Sequence, residues 1–321
     1  MKRFTPILML FLALTLALPA CAPAATPALT SSPTLEPAPD QGITLTDGLG
    51  RTVSLDEPAQ TVVSLAASNT EILFALGAGA QVIGRDDFSD YPAEAAEITS
   101  VGGSMSDYNL EEITRLSPDL VLASGLNTPE QVKAIEDLGL TVYYLPNPVK
   151  LEELYTNLET VGVLIGREQE AADLAESLKQ RVSAVETALA GVEDSPLVFY
   201  ELDATDPAKP WTSGPGTFLD TFIRDAGGKN VAAEMDSAWA QISQEELILQ
   251  NPDIILLGDA AYGVTPEQVA ARPGWDQIKA VQEGQIFPFD DNLASRPGPR
   301  LVDGLENLAK ILHPDLFEQA P

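Results

Sequence analysis

Apolar and polar positions fall into distinct patterns along the chain. Residues 7–18 form an unbroken apolar run behind Lys2 and Arg3. Twelve residues are too few to cross a bilayer as a helix, but they match the apolar centre of a secretory signal peptide. Residues 22–42, APAATPALTSSPTLEPAPDQG, hold five prolines and no aromatic residue, and read as an extended disordered tether. Beyond them, short β-branched runs alternate with helical patterns. Residues 61–65 predict a strand, followed by a helix over 69–76 that ends at Gly77. Residues 197–202 and 217–225 repeat that order and end at Gly227-Gly228, where glycine suits a left-handed C-cap. Strands alternating with helices predict an α/β protein with a parallel sheet in each half.

Between the halves, residues 151–190 are helical in pattern, with breaks expected at Gly162 and Gly166. The longer piece, 167–190, sets Ala171, Leu174, Ala175, Leu178, Val182, Val185 and Leu189 on one face. At about 1.5 Å per residue it spans about 36 Å, enough to join two lobes rigidly. The expected organisation is a signal peptide over 1–20, a lipidated cysteine and tether over 21–42, and a first α/β lobe over 43–150. A connecting helical segment over 151–194 and a second α/β lobe over 195–321 follow.

An internal repeat supports two related lobes. Residues 111–122 read EEITRLSPDLVL and residues 245–256 read EELILQNPDIIL. Each predicts a short helix, a Pro-Asp turn and a buried strand. Each is followed by Thr-Pro-Glu-Gln-Val, at 128–132 and 265–269, with the threonine placed to cap a helix whose first residue is proline. Only two copies occur, far apart, so this is a duplicated lobe and not a solenoid.

Composition narrows the chemistry. Apolar residues make up 45% of the 321, enough for a sizeable core. Acidic residues number 48 against 18 basic, and the net charge of −30 argues against nucleic acid or an anionic lipid surface as partner. The single cysteine excludes an intramolecular disulfide. Cys21 closes the sequence Leu-Pro-Ala-Cys, which resembles a bacterial lipobox. The other reading is ordinary cleavage near Ala20, which would leave a free thiol. An unpaired thiol is a liability in an oxidising compartment, and this favours lipidation. The single histidine, His313, leaves no room for a zinc site built on several imidazoles and is poorly placed for a catalytic triad. No Gly-x-x-x-x-Gly-Lys-Ser/Thr loop occurs, and Gly77, Gly79 and Gly84 have the wrong spacing for a dinucleotide fingerprint. No catalytic residue, metal ligand or cofactor is expected. Two lobes without catalytic machinery suggest a binding cleft.

Candidate cleft residues are Phe88, Tyr91, Trp211 and Trp239. Each is flanked by proline, glycine or serine and not by an apolar period, so each is expected on a loop, where large aromatics favour recognition. The alternative is that they anchor loops by local packing. Arg296 and Arg300 lie in SRPGPR at 295–300. Two readings stay open for them: binding a ligand phosphate or carboxylate, or pairing with Asp290, Asp291 or Asp303.

The runs VVSLAASNTE at 62–71, FSDYP at 88–92, NLE at 109–111 and PDLV at 118–121, in this order, resemble the periplasmic binding proteins for ferric siderophores and cobalamin that feed ABC importers. The likeness covers about residues 43–315. PWTSG at 210–214, WAQIS at 239–243 and RPGPR at 296–300 are similar to the cobalamin-binding members, although Ser104-Met105 and Ser124 stand where those carry tryptophan. The resemblance implies a class III solute-binding fold of the helical-backbone metal receptor type. That fold has two Rossmann-like lobes with parallel sheets joined by one long helix. It implies that Phe88, Trp211 and Trp239 line a corrin face and that Asp291 and Arg296 contact the polar rim. It also implies that Glu111 and Glu245 dock onto permease arginines, although carboxylates at helix N-termini suit the helix dipole in any case. The expected protein is a monomeric, lipid-anchored, extracytoplasmic receptor and not an enzyme. It would pass cobalamin or a related metal chelate to an ABC permease dimer and its ATPase, touching the membrane only through its anchor. A ferric-siderophore or haem receptor using Arg85, Arg296 and Arg300 is the alternative within the family. An enzyme or sensor on the same fold is the alternative outside it.

Overall fold

Two four-stranded parallel sheets of identical strand order carry the fold. The computed structural model describes residues 42–103 and 107–317. The expected signal peptide, Cys21, the tether up to residue 41, and Ser104-Met105 lie outside the described residues. A hairpin of β1 (Ile43–Thr46) and β2 (Thr52–Leu55) leads into β3 (Val62–Ser64), β4 (Val82–Arg85), β5 (Leu120–Ser124) and β6 (Val142–Leu145). The second lobe holds β7 (Leu197–Glu201), β8 (Trp211–Ser213), β9 (Lys229–Asn230), β10 (Trp239–Gln241), β11 (Ile254–Leu257) and β12 (Ile286–Pro288). The sheet orders are β4-β3-β5-β6 and β12-β11-β7-β9. Matching β3 with β7 and β5 with β11 makes them the same order, so the sequence repeat is a duplicated topology. Both β5 and β11 are buried along their whole length, as strands covered by helices on both faces must be.

The helices explain how the repeat folds. In the first lobe α1 (Ala67–Ala75), α2 (Leu110–Leu116) and α3 (Pro129–Glu136) follow strands. Next come α4 (Leu151–Ile165) and α5 (Glu168–Leu189). The second lobe carries α6 (Phe218–Asp225), α7 (Gln244–Gln250), α8 (Pro266–Ala270), α9 (Lys279–Gln282), α10 (Asn292–Ser295) and α11 (Leu301–Leu312). Thr128 and Thr265 each close a full capping box, with Gln131 and Gln268 answering from the third helical position. The turns after α2 and α7 end in Ser117 and Asn251, the two non-glycine residues with left-handed φ among the described residues. The following Pro-Asp pairs share a task the sequence did not reveal. Asp119 Oδ2 accepts from the backbone N–H of Gln60 and Thr61 at 3.0 and 2.9 Å, and Asp253 Oδ2 accepts from Leu197 N–H at 2.7 Å. Each aspartate thereby fixes the chain where it enters the central strand of its lobe.

The connecting segment departs from expectation at one glycine. Gly162 does not break the helix; it lies inside α4, and only Gly166, with φ of +69°, ends it. The chain then turns back, and α5 packs along α4. A Cβ on Gly162 would sit 2.6 Å from the Ala171 Cβ, so the glycine is there for close helix approach. The predicted apolar face of α5 is the one that packs: Ala171, Ala175, Leu178 and Val185 are buried, and Leu174, Val182 and Leu189 lie against them. The largest apolar cluster runs from Val62 and Leu120 through Leu158 and Leu178 to Leu305 and Leu308, so α5 shares a core with both lobes. Arg181 ties it to α11 through Asp303 at 2.6 Å and Glu306 at 2.8 Å. Among the described residues no helix is long and apolar enough to cross a membrane. Gly162→Val should force α4 from α5 and cost about 1–3 kcal/mol. Urea unfolding should show a lower midpoint, and an unchanged midpoint would mean that the close approach is not needed.

Candidate functional site

In a parallel sheet the loops at the carboxyl ends of the strands are free to vary while the strands hold them in place. In this protein those loops meet. The segment after β4 is folded around Asp86, which accepts the Phe88 backbone N–H at 3.2 Å and the Ser89 hydroxyl. The segment after β12 carries Arg296 and Arg300. Arg296 Nη1 donates to Asp90 Oδ1 at 2.5 Å. Arg300 forms a fork on Glu71 of α1, Nε to Oε2 at 2.9 Å and Nη2 to Oε1 at 2.5 Å, and its guanidinium lies 3.8 Å from the centre of the Tyr91 ring. These contacts join segments at the carboxyl ends of strands in the two sheets. The three neighbouring aspartates are not the partners of these arginines. Asp303 takes Arg181, Asp291 accepts the Tyr200 hydroxyl at 2.8 Å, and Asp290 accepts from the Asn292 side chain. Chain proximity misleads because Glu71 and Asp90 approach from the other lobe. The hydrogen bond from Arg296 holds the Asp90 carboxyl below its usual range, and burial beside Asp291 keeps the Tyr200 phenol well above its own.

The four predicted aromatics face solvent, between 43% and 55% exposed. Phe88 and Tyr91 sit on the irregular segment after β4, as expected. Trp211 and Trp239 do not sit on loops: they open β8 and β10, which pair antiparallel with Trp211 opposite Gln241 and Trp239 opposite Ser213. The ribbon lies on the surface and has no apolar face to generate an alternating pattern, so the sequence reads as loop. Its inner residues Thr212 and Ser213 are fully buried, which aims both tryptophans outward. The third tryptophan, Trp275, is a core residue packed against Phe199. Glu111 and Glu245 occupy equivalent first turns of α2 and α7, capped by Asn109 and Ser243. Both are exposed and, among the described residues, form no ion pair. His313 ends α11 with Nε2 3.2 Å from the Gly227 carbonyl oxygen, a structural contact.

A family model described as periplasmic binding protein matches residues 62–293. The chain belongs to the periplasmic binding protein family. It is 32% identical to YvrC of Bacillus subtilis, a substrate-binding lipoprotein of an ABC transporter that is itself uncharacterized, over 86% of this chain and 87% of that one. The crystal structure of the vitamin B12-binding protein BtuF of Vibrio cholerae superposes with a TM-score of 0.69 at 26% identity, covering 82% of this chain and 99% of that one. The haem-binding protein RhuT of Roseiflexus superposes with a TM-score of 0.72 at 26% identity, covering 80% and 99%. The family's members are binding proteins and not enzymes, consistent with the absence of catalytic motifs in the sequence.

Read as a periplasmic binding protein, the chain carries functional candidates that the motifs did not point to. Leu126 and Tyr262 are the most exposed apolar side chains on the loops after β5 and β11, at equivalent points of the two lobes, just before the capping threonines. Their signal was their place in the repeat. Glu71 carries two arginines of the opposite lobe yet is only 2% exposed at its side chain. Removing Glu71 leaves the largely buried Arg300 charged and without its carboxylate partner. Glu71→Ala should therefore cost about 3–5 kcal/mol of stability, whereas Glu71→Gln with Arg300→Met should cost less than the two single changes together. Additive losses in urea unfolding would show that the groups do not act as a unit.

Proposed function

We propose that this is the solute-binding protein of an ABC importer, anchored outside the cell membrane through lipidated Cys21, and that it captures a corrinoid between its lobes. The observation that supports the reading is a set of four half-exposed aromatic rings, Phe88 and Tyr91 on one lobe and Trp211 and Trp239 on the other, with Arg296 and Arg300 joining the two lobes beside Tyr91. A large, flat, largely apolar macrocycle is the ligand class such rings fit. Phe88, Trp211 and Trp239 would lie against its face, with Tyr91 at the edge and Asp291 and Arg296 at the polar rim. Glu111 and Glu245, equivalent and unpaired on the two lobes, suit arginines on a two-fold permease dimer. The likeness to BtuF and to the transporter lipoprotein YvrC supports both halves of the proposal.

The likeness to RhuT raises haem, or a ferric siderophore, as the second ligand reading. An anionic chelate needs cations. Arg296 and Arg300 already face carboxylates, and Arg85 donates to the backbone carbonyls of Asp86, Asp87 and Ala96. This favours the corrinoid, whose periphery carries uncharged amides. Cyanocobalamin should quench tryptophan fluorescence at micromolar or lower concentration, and Trp211→Ala and Trp239→Ala should each weaken binding about tenfold or more. A response to haem or a ferric siderophore, with none to cobalamin, would replace the ligand. Changing Glu111 and Glu245 together to alanine should abolish uptake by cells while leaving ligand binding unchanged. Persistent uptake would remove the docking assignment.

A further inference from the structure

The carboxyl ends of β7 and β11 enclose a cavity of about 480 Å³ lined by Asp203, Thr205, Asp259, Tyr262 and Val264 among others. It adjoins the tryptophan ribbon: Trp211 N–H donates to the Asp203 carbonyl at 2.7 Å, and Leu202 N–H donates to the Trp211 carbonyl at 2.9 Å. Asp259, directly after β11, is only 5% exposed, and its Oδ1 is buried without a hydrogen-bond partner. The backbone N–H of Ala204 supports the carboxyl. The cation nearby is already engaged. Arg272 forks onto both oxygens of buried Glu201 at 2.5 and 2.8 Å and lies 4.5 Å over the Trp275 ring. Asp203 uses Oδ1 to accept the Thr205 N–H and hydroxyl at 2.6 and 2.7 Å. Among the described residues no lysine or arginine lines the cavity. A buried acceptor without a donor is costly to hold and is satisfied when a donor arrives.

We infer that this cavity is a subsite for a hydrogen-bond-donating, uncharged or cationic arm of the ligand, with the Asp259 carboxylate turning to accept its N–H and exposed Tyr262 beside it. On the corrinoid reading, which this deepens, the arm is a primary carboxamide. Carboxylate arms are excluded from the cavity by Asp203 and Asp259. The groups facing Asp259 are Glu201 at the end of β7, Asp203 beyond it, Arg272 beyond α8 and Tyr262 on its own segment. Asp290 and Asp291, beyond β12, act on the same cluster through Tyr200. Burial and the charge on Glu201 raise Asp259 to about 6, against the pull of Arg272. The donor arm prefers the ionised carboxylate, so binding strengthens as pH rises through that value and a proton leaves on binding near it.

Two experiments on the purified protein test this. Carbon-13 NMR of the aspartate carboxyl groups, with Asp259 assigned through Asp259→Asn, follows titrations with propionamide, propylammonium and propionate. The two donors should shift the Asp259 signal and lower its pKa, and propionate should do neither. Silence of Asp259 toward both donors overturns the subsite. In cobalamin titrations, Asp259→Asn should weaken binding about tenfold or more and remove the rise in affinity between about pH 5 and 7. Tyr262→Ala should weaken binding with the pH profile retained. Unchanged affinity and pH profile in Asp259→Asn overturns the subsite while the corrinoid reading stands. Binding of propionamide at Asp259 with no binding of cobalamin supports the subsite and removes the corrinoid.

Discussion

One buried carboxylate sets the relation between the lobes. Glu71 lies on the first helix of the first lobe, is almost fully removed from water, and meets two arginines that belong to the last segment of the second lobe. Such a group is tolerable only while its counter-charges stay in place, because an unpaired charge in a low-dielectric interior is far more costly than the pair is favourable. Opening the lobes at this edge would strip Glu71 and Arg300 of each other. The same arginines organise the site. Arg300 presses on the Tyr91 ring and Arg296 holds Asp90, so the segment carrying Phe88 and Tyr91 is tied to the opposite lobe. With α5 sharing a core with both lobes, the proposed mode of ligand binding involves little closure. Affinity then has to come from groups already in position, which is the cheaper arrangement in conformational entropy.

A preformed site must hold apolar area in water while it waits. Half-exposed tryptophans are held outward only because the residues beside them are buried. Thr212, Ser213 and Asn230 lie under the ribbon, and the Asn230 side chain donates to the Ser213 carbonyl at 2.8 Å and to Asp220 at 2.9 Å. Polar support beneath and aromatic faces above is the reverse of a core strand. This keeps the rings available for a partner and prevents their collapse into the lobe.

How much of this could be read in the sequence depends on distance along the chain. The helix caps at Thr128 and Thr265, the face of α5 and the parallel sheets implied by alternating strands and helices are set by residues a few positions apart, and all were legible. Gly162 was misread because a glycine that breaks a helix and a glycine that lets another helix approach look alike until the partner is known. The pairing reading of the arginines named the wrong carboxylates for the same reason. Asp290, Asp291 and Asp303 are close in sequence, but Glu71 and Asp90 lie about two hundred residues away and become neighbours only when the lobes meet. The ribbon and the Asp259 cavity left no signal, since neither has an apolar period. The expected roles of Phe88, Trp211 and Trp239 came from flanking residues and resemblance, and the structure adds their exposure.

The duplication clarifies which parts of the chain are scaffold. At the amino ends of the sheets the two copies do the same work: Asp119 and Asp253 fix the central strands, and Ser117 and Asn251 make the same left-handed turn. At the carboxyl ends they diverge. After β5 the chain reads Gly-Leu-Asn before its capping threonine. After β11 it takes a longer path through Asp259 and Tyr262 and encloses a cavity. Among the described residues the first lobe has no ribbon like that of β8 and β10 between its parallel strands; its own two-stranded pair, β1 and β2, precedes the sheet. A permease of two like subunits would meet the two lobes through equivalent carboxylates on α2 and α7, so symmetry there is useful. A ligand with two chemically different faces needs unequal walls. The copies have stayed alike where the fold, and on the proposed docking a two-fold partner, would require it, and have separated at the carboxyl strand ends where the proposed ligand would lie.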